Sequence, residues 1–235
     1  FPNAKMAGLL MNAEIENAKK VLHKAERPFT AIVGGAKVSD KVLIVENLLQ
    51  IANHIIIGGG MAYTFFKAMG GQIGASLCEA ERVDTCKEIL ARAKTMGVQI
   101  HLPIDAVVAD CFAADANTKI ANSGEIEANW MGLDIGPKAI ETFRAVLLES
   151  KTILWNGPMG VFEMPAFENG TKSIAHAVAD ATKNGAFSLI GGGDSAAAVQ
   201  QFELSKEVSY VSTGGGALLE YFEGKTLPGV EALEA

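Results

Sequence analysis

The stretch Phe29-Thr30-Ala31-Ile32-Val33-Gly34-Gly35-Ala36-Lys37-Val38-Ser39-Asp40-Lys41 decides how the rest of the chain is read. Its first five residues are apolar or β-branched without alternation, as in a strand covered on both faces of a parallel sheet. Two glycines then stop the strand, and a polar run follows. The same pattern returns four times. Residues 55–57 lead into Gly58-Gly59-Gly60, residues 152–155 into Asn156-Gly157-Pro158, residues 187–190 into Gly191-Gly192-Gly193, and residues 208–212 into Gly214-Gly215-Gly216. Helical stripes lie between them. Val83, Cys86, Leu90 and Ala93 step by three and four before Gly97. Pro137 opens a second helix bearing Ile140, Phe143 and Leu147, and Ile174, Val178 and Ala181 form a third, closed by Asn184-Gly185. Alternating strands and helices predict an α/β fold: a doubly wound, mainly parallel, Rossmann-like sheet with helices on both faces. Short runs at 99–102 and 106–109, with turn-rich 115–124 beyond, are expected to form a small side sheet.

Composition narrows the function. Of 235 residues, 49% are hydrophobic and 20% charged, which excludes a disordered chain. Acids outnumber bases 27 to 20, for a net charge of −7, which argues against general nucleic-acid binding. No apolar run approaches the roughly 20 residues that span a bilayer, so no membrane partner is expected. Cys78, Cys86 and Cys111 are an odd count without a C-x-x-C pair, so neither a disulfide framework nor a zinc site is expected, and a cytoplasmic location is. The chain divides into a leading helix and linker (1–28), an α/β domain (29–223) and a carboxyl-terminal tail (224–235). Met11, Ile15, Ala18, Leu22 and Ala25 form an apolar stripe on the leading helix, and Pro28 marks its end.

In an open parallel sheet, ligands bind at the carboxyl ends of the strands, where the glycine clusters fall. Two readings of these clusters stand side by side: tight βα turns, or an anion-binding rim in which bare amides at helix N-termini face a ligand. Lys37 and Lys41 are four apart and expected on one face of a helix's first turn. There they oppose the dipole unless an anion sits between them, which favours phosphate. Asp194 is either a cap for a helix starting near Ser195 or, beside a phosphate, the carboxylate that meets it through Mg²⁺. Gly214-Gly215-Gly216 is expected to open a final helix as a nest for a phosphoryl group. The loop from Trp155 to Glu163 either walls a flat ring, with Glu163 accepting ribose hydroxyls, or is a hydrophobic surface loop.

Other templates fail. A Walker A loop would need glycine where Leu219 stands. Gly191-x-Gly193-x-x-Ala196 matches a relaxed dinucleotide fingerprint, but Asp194 would repel a pyrophosphate, and the next strand ends without the acid that binds ribose. A nicotinamide dehydrogenase is therefore a poor alternative; a non-catalytic nucleotide-binding module is a better one. His23, His54, His101 and His176 have no metal spacing.

Together, GGAKVSDK, IIIGGGMAYTF, WMGLD, ILWNGPMGVFE, LIGGGDS and VSTGGGALLEYFEGKTLPGVEAL resemble the carboxyl-terminal, nucleotide-binding half of phosphoglycerate kinases, from about Gly8 to Leu233. The resemblance implies reversible phosphoryl transfer between 1,3-bisphosphoglycerate and Mg-ADP in glycolysis, with Mg²⁺ and ADP or ATP bound here. The 3-phosphoglycerate site would belong to an amino-terminal substrate domain with no counterpart in this sequence, so the chain alone is expected to be inactive. Residue by residue, it implies that Lys41 contacts nucleotide phosphates and Lys37 the transferring phosphoryl. Gly35, Ala36, Gly59, Gly60, Leu77, Gly132, Leu133, Pro158, Gly160 and Val161 are implied to form the adenosine pocket. Asn156 is implied to be a phosphate-side contact and Glu163 the ribose acceptor. Gly192, Gly193, Asp194 and Ser195 would form the phosphate and Mg²⁺ site, with Asp194 the metal ligand, and Gly214, Gly215 and Gly216 would cradle the phosphoryl in flight. The leading helix would link and pack between two halves; on its own, its stripe is expected to promote self-association or capture of the other half.

Overall fold

The computed structural model describes residues 6–234. In chain order, its elements are α1 (Leu9–His23), β1 (Phe29–Val33), α2 (Val42–Ile51), β2 (His54–Ile57), α3 (Ala62–Ala68), β3 (Gln72–Ile73), α4 (Val83–Met96) and β4 (Gln99–His101). Then come β5 (Asp105–Ala109), β6 (Thr118–Asn122), β7 (Glu125–Ile126), β8 (Met131–Ile135), α5 (Pro137–Glu149), β9 (Thr152–Asn156) and α6 (Asn169–Lys183). The chain continues through β10 (Phe187–Gly191), α7 (Gly193–Gln201), β11 (Tyr210–Val211), α8 (Gly216–Phe222) and α9 (Pro228–Glu234).

The main sheet has six strands in the order β11-β10-β9-β1-β2-β4, paired in parallel throughout. The chain winds outward from β1 through β2 to β4, then returns to β9 on the other side of β1 and winds the opposite way. The strand order reverses between β1 and β9, so the crevice of this fold opens above their carboxyl ends. Alternate residues of each strand feed separate cores. Ala31, Val33, Ile55, Ile57 and Leu154 share a core with residues of α1, α2, α3 and α4, whereas Ile32, Ile56, Ile153 and Trp155 share one with Phe143 of α5 and Ile174 of α6. Both sets are buried, which is why these strands read as unbroken apolar runs.

The helix ends follow local chemistry. Gly97 closes α4 in the left-handed region (φ 73°), and Pro137 starts α5 where a missing N–H leaves no partner wanting. Three expectations are corrected. The run at 99–102 does not join the side sheet: its β4 pairs with β2 and forms the main sheet's edge, because α4 carries the chain back parallel to it. The side sheet is instead antiparallel β6-β5-β8, with Met131–Ile135 supplying a strand that its glycine and acid disguised. The strand at 208–212 shrinks to β11, two residues long.

Ala18 and Val21 of α1 are enclosed in the same core as Leu218 and Phe222 of α8. Val21 is outside the expected stripe, while Met11 at its start is exposed. Among the described residues, no helix is long and apolar enough to cross a membrane. The three cysteines are free.

Candidate functional site

At the β1–β9 switch point, backbones meet without side chains between them. The Gly34 amide donates to the Asn156 carbonyl (2.8 Å), Gly35 to Pro158 (3.1 Å), and Gly59 to Met159 (3.0 Å). A Cβ on Gly34 would stand 2.1 Å from the Pro158 carbonyl oxygen, and one on Gly157 would stand 2.2 Å from that of Gly34. These two glycines allow three junctions to interlock, so the tight-turn reading holds for them. At three positions in the later clusters the missing side chain faces open space. A Cβ on Gly193, Gly215 or Gly216 would meet nothing within 4 Å.

The crevice holds a cavity of about 460 Å³. Of the implied adenosine pocket, Gly35, Ala36, Gly59, Gly60, Leu77, Gly132, Leu133, Pro158, Gly160 and Val161 all line it, together with Glu163 and Asp194. One wall comes from the β1 and β2 junctions, another from β8 and the loop after β9. Val161 N donates to Leu133 O (2.9 Å), which joins that loop to β8. A ring-sized slot with apolar walls results, closed on one side by exposed Leu77 and Phe112.

Lys37, Lys41, Asn156, Gly192, Gly193, Ser195 and the 214–216 triplet lie outside that lining. Lys41 is not on a first helical turn with Lys37. It occupies the N-cap position of α2, while Lys37 sits in the loop before it and is exposed. Lys41 Nζ donates to Asn156 Oδ1 (2.5 Å). Burial pushes the Lys41 ammonium pKa down, against the attraction of Asp194, Asp40 and Glu223. Asn156 is itself buried, and its Nδ2 donates to Gly191 O (2.7 Å). Its side chain therefore points Lys41 instead of presenting itself to a ligand.

At α7, the N-cap is Gly192 (φ 92°), and Asp194 lies in the first turn, so Asp194 is not the cap. It is exposed beside the cavity. The first amide to find a partner at this end is Ala196 N, on Gly192 O (3.1 Å); those of Gly193, Asp194 and Ser195 have none among the described residues. Ser195 departs from expectation: it is buried, and its Oγ accepts from Gly157 N (2.5 Å). Only its amide remains for a ligand. In the last cluster, the Gly214 amide is held by Ser212 Oγ (3.1 Å), whereas Gly215 (φ 51°) and Gly216 are open.

Sequence reasoning missed three contributors. Asp134 lies in the cavity wall, with Oδ2 accepting from Gly170 N (2.6 Å) and Oδ1 from Ile135 N (2.9 Å). Burial pushes its carboxyl up to about 7, although both amides favour the charged form. Tyr63 of α3 backs the same cavity. Glu14 of α1 accepts from Ser212 Oγ (2.6 Å), Thr213 N (2.7 Å) and Thr213 Oγ1 (2.9 Å), anchoring the glycine triplet from 198 residues away. No local pattern announces that contact. For Asp134 a signal existed, since an acid among apolar strand residues must find donors inside.

The fold and site define a doubly wound α/β domain with a largely apolar cavity and open helix-end amides at its switch point. A family model for phosphoglycerate kinase matches residues 1–225. The chain is 55% identical over 230 residues to a phosphoglycerate kinase of Porphyromonas gingivalis (strain ATCC BAA-308 / W83), covering 98% of this chain and 55% of that protein. The solved structure of phosphoglycerate kinase from Coxiella burnetii superimposes with a TM-score of 0.93 at 43% identity, over 97% of this chain and 58% of that one. That from Pyrococcus horikoshii OT3 gives 0.82 at 31%, over 97% and 56%. The chain belongs to the phosphoglycerate kinase family, and it spans about half the length of the relatives it matches.

Proposed function

We propose that this chain is the nucleotide-binding part of a phosphoglycerate kinase, holding Mg-ADP or Mg-ATP for reversible phosphoryl transfer with 1,3-bisphosphoglycerate. The observation that carries this reading is the continuity of the site. An apolar cavity of about 460 Å³ runs to Asp194, beside the open amides of α7. Lys41 reaches across to that junction through Asn156, which holds Gly191 O.

The base lies between the Gly35–Ala36 and Gly59–Gly60 backbones and the Leu133–Val161 wall, and ribose hydroxyls donate to Glu163. Lys41 and the amides of Gly193, Asp194 and Ser195 meet the phosphates. Asp194 fits a magnesium ion that keeps most of its ligands from phosphate and water, for it is exposed and its carboxylate makes no hydrogen bond to a described residue. Magnesium bound there would neutralise charge on the phosphate oxygens. Lys37, Gly215 and Gly216 would serve the group in transit; Gly214 shapes the turn. Transfer of this kind needs in-line positioning and charge neutralisation, with no covalent enzyme intermediate. The acyl-phosphate substrate would be held by the part of the family's length outside this chain and brought in by domain closure.

Calorimetry with Mg-ADP tests the reading. Binding should weaken about ten- to hundredfold in Lys41→Ala, which loses a charged contact, and also in Asp194→Ala. A coupled assay of the purified chain should give negligible turnover. A folded wild type without affinity for Mg-ADP, or one that turns over at enzyme rates alone, overturns the proposal.

A further inference from the structure

Tyr63 is 4% exposed, and its ring packs against Phe66 at a centroid distance of 6.3 Å. Its hydroxyl lies over the backbone of Gly132, so close that a Cβ there would stand 1.7 Å from Oη. Buried tyrosines ordinarily give their hydroxyl a partner. This one has none among the described residues. Nor is it sealed in: among the described residues Ser123 Oγ is the fully enclosed side-chain polar atom left without a partner, whereas Tyr63 lines the 460 Å³ cavity. The hydroxyl is therefore a polar group reserved at the back of an otherwise apolar slot.

The surrounding charge sets what it can meet. The other ionisable side chains lining the cavity are Asp134, Glu163 and Asp194, and all are acids. Asp134 is the one whose charge bears on the Tyr63 phenol; burial first, and that charge second, push the phenol's pKa up and keep it protonated. Asp134 beside the phenol disfavours a ligand edge that carries only acceptors and favours one that donates. The phenolic oxygen, with two lone pairs, accepts such a bond.

Resting on the nucleotide reading above, we propose that Tyr63 is a specificity-determining residue: its hydroxyl accepts a hydrogen bond from the exocyclic amino group of a 6-aminopurine. Gly132 is then glycine because any side chain would displace that hydroxyl. The site prefers an amino-bearing base over the same purine with hydrogen or a carbonyl at that position.

Calorimetry on the whole chain tests this with Mg²⁺ and four ligands: ADP, inosine 5′-diphosphate, purine riboside 5′-diphosphate (which carries hydrogen in place of the amino group) and tripolyphosphate. Wild type should bind ADP about three- to tenfold more tightly than purine riboside 5′-diphosphate, the range for one neutral hydrogen bond, with inosine 5′-diphosphate no tighter than the latter. Tyr63→Phe, which keeps the ring and removes no internal bond, should lose that same factor for ADP, distinguish ADP from purine riboside 5′-diphosphate no longer, and leave tripolyphosphate binding unchanged. A Tyr63→Phe protein that keeps the preference, or a wild type that binds ADP without one, overturns the role of Tyr63 alone. Wild type that binds Mg-ADP no better than Mg-tripolyphosphate overturns the base site itself, and the inference with it.

Discussion

Asp134 shows how one buried acid links the cavity to its frame. It fastens the N-terminal turn of α6 through Gly170 and its own strand through Ile135, and among the described residues no cation pairs with it. A Cβ on Gly160 would stand 2.3 Å from its Oδ1, so the loop after β9 rests directly on the carboxyl. Its folded pKa of about 7 is raised above the value near 3.8 expected in the unfolded chain. The sign follows from linkage: the contribution is fully present below the unfolded value and is lost as pH rises through about 7, amounting to a few kcal/mol at most. Thermal melts of wild type should therefore lose stability between about pH 4 and pH 7 relative to Asp134→Asn. Parallel Tm curves for the two proteins over that window would count against this. Asn156 teaches a different lesson at the same scale. The family resemblance implied a ligand contact for it, yet its two polar atoms already hold Lys41 and Gly191.

Among the elements, the βα junctions divide into those that pack and those that stay open. Gly34→Ala would set a methyl 2.1 Å from the Pro158 carbonyl, backbone that cannot yield without parting β1 from the loop after β9. We expect it to lower stability by about 2 kcal/mol or more in urea unfolding. Gly193→Ala meets nothing within 4 Å at the first position of α7, so its stability should stay level or rise by about 0.5 kcal/mol, while Mg-ADP binding weakens because the methyl enters the ligand's space. Equal stability losses in the two variants would show that the division is wrong. The glycine clusters look alike in sequence, since what distinguishes them is the neighbour each missing Cβ would meet.

For the whole molecule, α1 is both a wall of the core and a brace for the glycine triplet. Burial alone would raise the Glu14 pKa, but bonds from Ser212, Thr213 and Tyr210 outweigh it and hold the carboxyl below its usual value. Its contribution is therefore present above the unfolded pKa near 4.5 and lost as pH falls through the lower folded value. Glu14→Gln should cost about 1 kcal/mol at pH 7, allowing for solvent screening, with the difference fading in melts below about pH 4. On its outer side, α1 leaves Leu9 93% and Leu10 63% exposed. Beside them an apolar groove of about 180 Å³ runs between Met11, Ile15, Leu218 and Val230. Self-association in sedimentation velocity, or capture of the family's amino-terminal half, is the expected result; a chain that stays monomeric at every concentration and ignores that half would refute it.

Periodicity and glycine placement by themselves determined a doubly wound parallel sheet, most of its strands and helices, and the edge on which ligands should bind. Buried strands and amphipathic helices write their environment into local residue order. The residues that the family resemblance assigned to an adenosine pocket came from ordered motifs, and every one of them lines the cavity. Tertiary structure alone decided that 99–101 joins the main sheet and 131–135 the side sheet, because strand partners are chosen by crossovers and not by composition. It also separated Lys41 from Lys37, turned Asn156 and Ser195 inward, and brought Glu14 and Asp134 to the site. Those outcomes depend on which donors and acceptors meet across tens or hundreds of residues, and a buried polar group's partner is set by folded geometry that no short motif contains.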